Sequence, residues 1–341
     1  MKALSRMLII IIFISFLSCS NESPLEINSK NDFKENEEFF SINKKMPPVP
    51  DIVLADERFE VSVFYDSIMG VDGIAALSNS KVLAVQEWGY PGQCVFLLKK
   101  GHTFDVNDVF TTIGPPFVSP DDILVYLDGT VFVADGQAQS VFKIAKHGGS
   151  PEAFITPTSS GSPSFNPFGL AIAPANFDGP NVDPGDIIVA DNGYGTNAKA
   201  VWAVNPYTGV SRIIAQGSVF IDGPILVDFS SDGTLYIYQN RDTGTSRIVT
   251  LSANGTVTTF FEPIYASPSL AIHPKTDDIF FKKVEGEIHR IPKTGGTPQI
   301  FASNIGNYQD IAFNKQGTAL YLGYRDNYQV VQISASQKTW E

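Results

Sequence analysis

From residue 58 onward the apolar positions fall into short runs of four to seven residues, separated by Gly, Asn, Asp and Pro. Some runs alternate with polar residues and some are wholly apolar. No long stretch repeats at the 3.6-residue helical period, so the pattern predicts strands throughout. The runs also follow one phrase. An apolar strand entered from Asp, Pro or Ser leads into a turn that is often Asp-Gly-Thr. A very apolar strand ending on a polar residue comes next, then a loop, an alternating strand, another turn and a last strand. The first strands are GIAAL (73–77), DILVYL (122–127), FGLAIAP (168–174), PILVDF (224–229), SLAIHP (269–274) and DIAFN (310–314). The second strands, KVLAVQ, VFVAD, IIVAD, LYIYQ, IFFK and ALYLG, begin at 81, 131, 187, 235, 279 and 319.

Repetition at this spacing is the signature of a radial array, and six phrases predict an all-β, six-bladed β-propeller with four-stranded blades. The Pro/Gly/Asp-rich segment 173–186 is an insertion between two strands of blade 3. The sixth phrase stops after three strands, while RFEVSVFYD (58–66) precedes the first phrase unassigned. It fits as the outer strand of blade six, so an N-terminal strand is expected to close the ring. The expected propeller domain is 51–341, one unit because each blade buries its faces on its neighbours.

The phrases NPFGLAIAP, GDIIVADNGYG, KAVWAVNPYTG and DGTLYIYQNRDTGTSRIVTLSANG resemble the NHL and SMP-30/gluconolactonase group of six-bladed propellers. The likeness covers most of 58–337 and lies in blade grammar. It implies the same fold. For the lactonase subgroup it also implies a divalent metal in the channel, held by one Glu and several Asp/Asn. No Glu stands at the start of the first blade here, and the WD dipeptide of another propeller class is absent.

The N-terminus has a different composition. Lys2 and Arg6 precede the apolar run MLIIIIFISFL (7–17), and Ser18 precedes Cys19. This arrangement predicts a signal peptide over 1–18, and the junction resembles a bacterial lipobox with Cys19 as the lipidated residue. Residues 19–50, polar and ending on prolines, read as a flexible tether. The expected location is the bacterial cell envelope, lipid-anchored, in the outer membrane because Ser20 rather than Asp follows the Cys.

Charge narrows the partners. Lys+Arg number 24 against 36 Asp+Glu, and no basic cluster stands out, which excludes a nucleic-acid surface. Two cysteines, Cys19 and Cys94, make no disulfide framework. His102, His147, His273 and His289 are scattered, and no hydrolase or nucleotide motif is present.

The polar residues that end the second strands lie where a propeller opens around its channel. Asp135 there fits either a turn cap accepting backbone N–H groups or a ligand contact. Together the equivalent positions give an acidic half, Glu87, Asp135, Asp191 and Asn192, and a basic half, Arg241, Lys282 with Lys283, and Arg325. Trp88, Tyr90, Tyr194, Tyr238 and Tyr324 stand beside them. Glu87, Trp88, Asp135, Asp191, Asn192, Arg241, Lys282 and Arg325 are therefore the candidate ligand-binding residues, suited to a small polar ligand or a partner protein. Deeper, Asp72, Asp122, Asn166 and Asp222 precede or open inner strands and form a candidate oxygen-only metal set for which Ca²⁺ is the preferred ion. Two functions follow: a membrane-tethered, non-catalytic binding propeller, and alternatively a Ca²⁺-dependent lactonase-type hydrolase. The absent family ligands and the lack of a clear general base favour binding.

Overall fold

The wholly apolar runs become strands buried on both faces. In the computed structural model Val131–Asp135, Ile187–Asp191 and Ala319–Tyr324 are buried at every position. A second strand of a blade has a neighbouring blade on each side, so neither face meets water and no alternation is needed. Outer strands are more open, and Val257–Ile264 is buried only at its last position. The structure describes residues 51–89, 91–157, 165–193, 199–220, 222–240, 245–325 and 328–335. The signal peptide, Cys19 and the tether lie outside the described residues, as do Tyr90, Tyr194 and Arg241.

Six antiparallel sheets form the ring, each starting with its inner strand at the channel. Blade 1 comprises Val71–Ser78, Lys81–Gln86 and Cys94–Lys99. Blade 2 comprises Pro120–Val125, Val131–Asp135, Ser140–Ile144 and Glu152–Ile155. Blade 3 comprises Pro167–Ile172, Ile187–Asp191, Ala200–Val204 and Ser211–Gln216. Blade 4 comprises Gly223–Phe229, Leu235–Asn240, Ser246–Leu251 and Val257–Ile264. Blade 5 comprises Leu270–Ile272, Ile279–Phe281, Glu287–Ile291 and Gln299–Ser303. Blade 6 comprises Tyr308–Phe313, Ala319–Tyr324 and Gln329–Ala335, and Phe59–Asp66 is its fourth strand.

The ring therefore closes as the sequence predicts, with Phe59–Asp66 antiparallel to Gln329–Ala335. Two details were not foreseen. Val53–Leu54 adds a fifth strand to blade 5 against Ala302 and Ser303, so the N-terminal segment clasps two blades. Blade 1 has three strands rather than four, because His102–Thr103 pairs in parallel with Tyr65 and Asp66 of blade 6 instead. A single bridge between Phe96 and Val109 holds the following chain against blade 1.

The core is not one mass. Six clusters of buried apolar side chains occupy the six seams between blades. At the seam of blades 5 and 6, Phe280 meets Phe301 and Phe313 edge-on, with ring centroids 5.1 and 5.0 Å apart. Each such ring removes roughly 1.5–3 kcal/mol worth of apolar surface from water.

Candidate functional site

The residues at the ends of the second strands are latches. Asp135 is fully buried, and its carboxylate accepts the backbone N–H groups of Val118 at 2.7 Å, Ser119 at 3.1 Å and Ala138 at 2.8 Å. It thus caps its own turn and also holds the loop entering the inner strand of its blade. Asp191 repeats this with Asn166 N at 2.8 Å and Gly193 N at 3.0 Å, and adds Trp202 Nε1 at 2.9 Å. Burial pushes the Asp135 carboxyl up, and that of Asp191 to about 6, against the opposing pull of these donors. In the other blades the latch changes chemistry but keeps its place. Gln86 donates to Met69 O at 2.9 Å, and Tyr324 donates to Ile305 O at 2.6 Å. Lys282, wholly buried, donates to Ser267 Oγ at 2.6 Å and to Tyr308 O. Burial lowers its pKa.

The mouth of the channel is built from the neighbours of these latches. A cavity of about 210 Å³ opens there. Asp72, Glu87, Asp121, Asp310 and Gln309 line one part, with Arg325. Phe168, Ile225, Leu226 and Pro268 line the other. Arg325 forms an ion pair with Glu87 Oε2, and Glu87 Oε1 accepts from Ser119 Oγ at 2.8 Å. Asp121 accepts from Gly136 N at 2.7 Å. Burial, then the Glu87 charge, pushes the Asp72 carboxyl up to about 7. Desolvation also raises Asp121 well above the usual carboxylate range.

Below the mouth a channel of about 640 Å³ runs between the inner strands of five blades and that of blade 3. Three buried carboxylates are set into its wall. Asp122 accepts from Ile123 N and, across the seam to blade 3, from Leu170 N, both at 2.7 Å. Asp228 accepts from Phe229 N and from Ile272 N of blade 5, both at 2.8 Å. Asp310 accepts from Ile74 N of blade 1 at 2.9 Å. Burial raises all three, Asp228 to about 6.

Of the residues singled out in the sequence, Glu87, Arg325 and Asp72 meet at the mouth. Trp88 does not line it, and Asp135, Asp191 and Lys282 are latches behind it. Asn192 packs its Oδ1 onto Gly223, where a Cβ would come within 1.4 Å. Tyr238, fully buried, donates to Ala266 O. Asp72, Asp122, Asn166 and Asp222 are not gathered into one ligand set. Asp122 is committed to two N–H groups, and Asp222 stands before the inner strand of blade 4, off the mouth. Among the described residues no three His, Cys, Asp or Glu side chains are grouped to hold a metal ion. These residues do not fit a channel Ca²⁺. The sequence reading missed Asp121, Asp228 and Asp310 and the apolar wall of Phe168, Ile225, Leu226 and Pro268. The signal for two of them was an Asp inside an otherwise apolar inner strand, in PILVDF and QDIAF.

No protein-family model and no curated protein sequence matches the chain. Solved structures share its fold. A gluconolactonase from Xanthomonas campestris superimposes with a TM-score of 0.62 at 13% identity, covering 86% of this chain and 98% of its own. A virginiamycin B lyase from Staphylococcus aureus gives 0.53 at 16% identity, over 81% of this chain and 99% of its own. An auxiliary nutrient binding protein from Bacteroides thetaiotaomicron gives 0.57 at 11% identity, over 82% and 77%. The chain is a six-bladed β-propeller of the architecture these proteins share. At such identities the likeness carries the fold and not the activity.

Proposed function

We propose that the chain is an exported lipoprotein, anchored through Cys19 and tethered by residues 19–50, whose propeller binds a small polar ligand at the channel mouth. The observation that carries the binding reading is the division of one cavity into a carboxylate-lined part and an apolar wall. Such a pocket supplies apolar area for affinity and a few polar groups for orientation. A fold neighbour named as a nutrient-binding protein is in keeping with that reading.

Ligand-detected NMR with mixtures of polar metabolites tests it. Compounds whose signals broaden with the wild type should be released by Phe168→Trp, which fills the mouth. Binding that persists unchanged in that variant would place the site elsewhere. Lactone hydrolysis that requires added Ca²⁺ would favour the hydrolase over the binding protein. For the anchor, metabolic labelling with a fatty acid should mark the protein and Cys19→Ala should abolish the label. An unlabelled wild type removes the lipid from the proposal.

A further inference from the structure

Resting on the mouth as the ligand site, we propose that its ligand is an organic cation with an apolar body. Its ammonium would sit between Asp72 and Asp121 and its body on Phe168 and Ile225.

The charge balance of the cavity points this way. Among its described lining residues Arg325 is the cation, and it is paired with Glu87. Asp310 already accepts the Ile74 N–H from the neighbouring blade. Asp72 has no hydrogen bond or ion pair among the described residues, and Asp121 accepts a single one from Gly136. The two belong to inner strands in near backbone contact, since a Cβ on Gly73 would lie 2.8 Å from Asp122 Cα and 2.9 Å from Asp121 O. Two carboxylates on strands this close and largely out of water are relieved either by a shared proton or by a positive charge that enters between them, and the open cavity allows the second.

A second feature points to a donor-bearing ligand. Asn166 is only 5% exposed, and its Oδ1 finds no hydrogen-bond partner among the described residues. It does not itself line the cavity but stands directly behind Asp121 and Phe168. A Cβ on Gly136 would lie 2.5 Å from Asn166 Oδ1, 3.1 Å from Asp121 Oδ2 and 3.2 Å from the Phe168 ring. A buried acceptor left unmade is costly, and an ammonium carries three donors for such a set. The Phe168 ring beside these oxygens adds cation–π attraction and a surface for carbon. A carboxylate or phosphate would meet the same oxygens as a like charge.

Isothermal titration of the purified full-length chain with phenethylamine, 2-phenylethanol and 3-phenylpropanoate separates the possibilities. Phenethylamine is expected to bind at least tenfold more tightly than the alcohol, and the carboxylate not measurably. Asp72→Asn and Asp121→Asn should each weaken the amine at least fivefold while leaving the alcohol unchanged. Phe168→Ala should weaken both. Should Asp121→Asn fail to fold, Asp72→Asn carries the test, because the Asp72 carboxylate holds no hydrogen bond. Equal binding of amine and alcohol, with Phe168→Ala still weakening them, would overturn the cation and leave the mouth as the ligand site. No binding of any of the three overturns both. Displacement of the amine by an equal concentration of Ca²⁺ would overturn the proposal in favour of a metal.

Discussion

The Asp122 carboxylate accepts the backbone N–H of Leu170, one blade further round the ring, at 2.7 Å. The same bond recurs from Asp228 to Ile272 and from Asp310 to Ile74, so the seams between blades 2 and 3, 4 and 5, and 6 and 1 each carry one. At two of the remaining seams the inner strands approach through glycine, Gly73 against Asp122 and Gly169 against Leu226. A six-bladed ring thus carries three-fold alternation at its axis. The three carboxylates are not level. Asp122 and Asp310 lie opposite Ala134 and Gly323, next to the latches Asp135 and Tyr324. Asp228 lies opposite Tyr236, nearer the far end of its strand.

These carboxylates make stability depend on pH in an unusual direction. The Asp228 pKa rises from 3.8 to about 6, chiefly through burial. Between those values the folded chain holds a proton that the unfolded chain has released, so stability falls as pH rises through the window. At 1.36 kcal/mol per unit, the effect of Asp228 is bounded at about 3 kcal/mol. His273, whose pKa is lowered by burial, acts in the opposite sense, losing stability as pH falls below its unfolded value. Asp232, whose carboxyl is held below the usual range by hydrogen bonds from Ser230 and Thr234, acts only below pH 4. The expected outcome is therefore a difference. Denaturant midpoints at pH 5 and pH 8 should show wild type gaining more stability at pH 5 than Asp228→Asn does. Parallel pH profiles would contradict the assignment.

The blades were legible in the sequence because what specifies them is local. Period-two runs, Asp-Gly turns and wholly apolar second strands each act over fewer than ten residues, and even the closing strand RFEVSVFYD could be assigned by counting. The site was legible only in part. Five of the inner strands carry a register shift near their start, at Val71/Ile74, Pro120/Asp122, Pro167/Leu170, Pro224/Leu226 and Tyr308/Asp310. Such a bulge re-aims the side chains that follow, so spacing alone does not say which residue faces the channel. Phe168 and Ile225 stand in the runs FGLAIAP and PILVDF, and nothing in the spacing marks them as mouth residues. The turn-cap alternative for Asp135 was legible because Ala138 is three residues away, but the loop partners of Asp135 and Asp191, 16 to 25 residues away, leave no trace in the pattern.

A latch should matter to stability more than to binding. Asp135→Ala strips acceptors from three backbone N–H groups in a buried site, and hydrogen bonds to a charged group contribute about 1.5–3 kcal/mol each. A loss of about 3 kcal/mol or more in urea unfolding is expected. Asp191→Leu should do the same and shift the Trp202 emission, since the indole N–H loses its acceptor. A loss under 1 kcal/mol for both variants would show that the loops hold without them.

The N-terminal clasp predicts a graded response to truncation. Removing residues 20–50 should leave the melting temperature nearly unchanged, because it spares every described strand. Removing 20–57 takes away Val53–Leu54 and, with it, Ile52 and Leu54 packed on the core between blades 5 and 6. Several degrees should be lost. Removing 20–67 also takes the outer strand of blade 6 and exposes Gln329–Ala335 as an unpaired edge. Light scattering should then report aggregation. Equal melting of all three truncations would mean that the clasp contributes nothing.

Two of the seams without carboxylates depend on the absence of a side chain. A Cβ added at Gly169 would sit 2.6 Å from Ile225 O and 2.7 Å from Leu226 Cα, both backbone atoms of the next inner strand. Backbone cannot rotate aside as a long side chain can, so Gly169→Ala must push blades 3 and 4 apart at the axis. Overpacking of this kind typically costs 1–3 kcal/mol. Gly73→Ala, with contacts of 2.8 and 2.9 Å to blade 2, should cost a similar amount. Neither glycine needs a left-handed backbone, so any loss is due to the space and not to φ. Hydrogen exchange should show faster opening of the inner strands on both sides of the altered seam. The seam between blades 4 and 5, held by Asp228, should stay protected. Protection that falls evenly around the ring would argue against independent seams, and an unchanged stability would argue against the close approach itself.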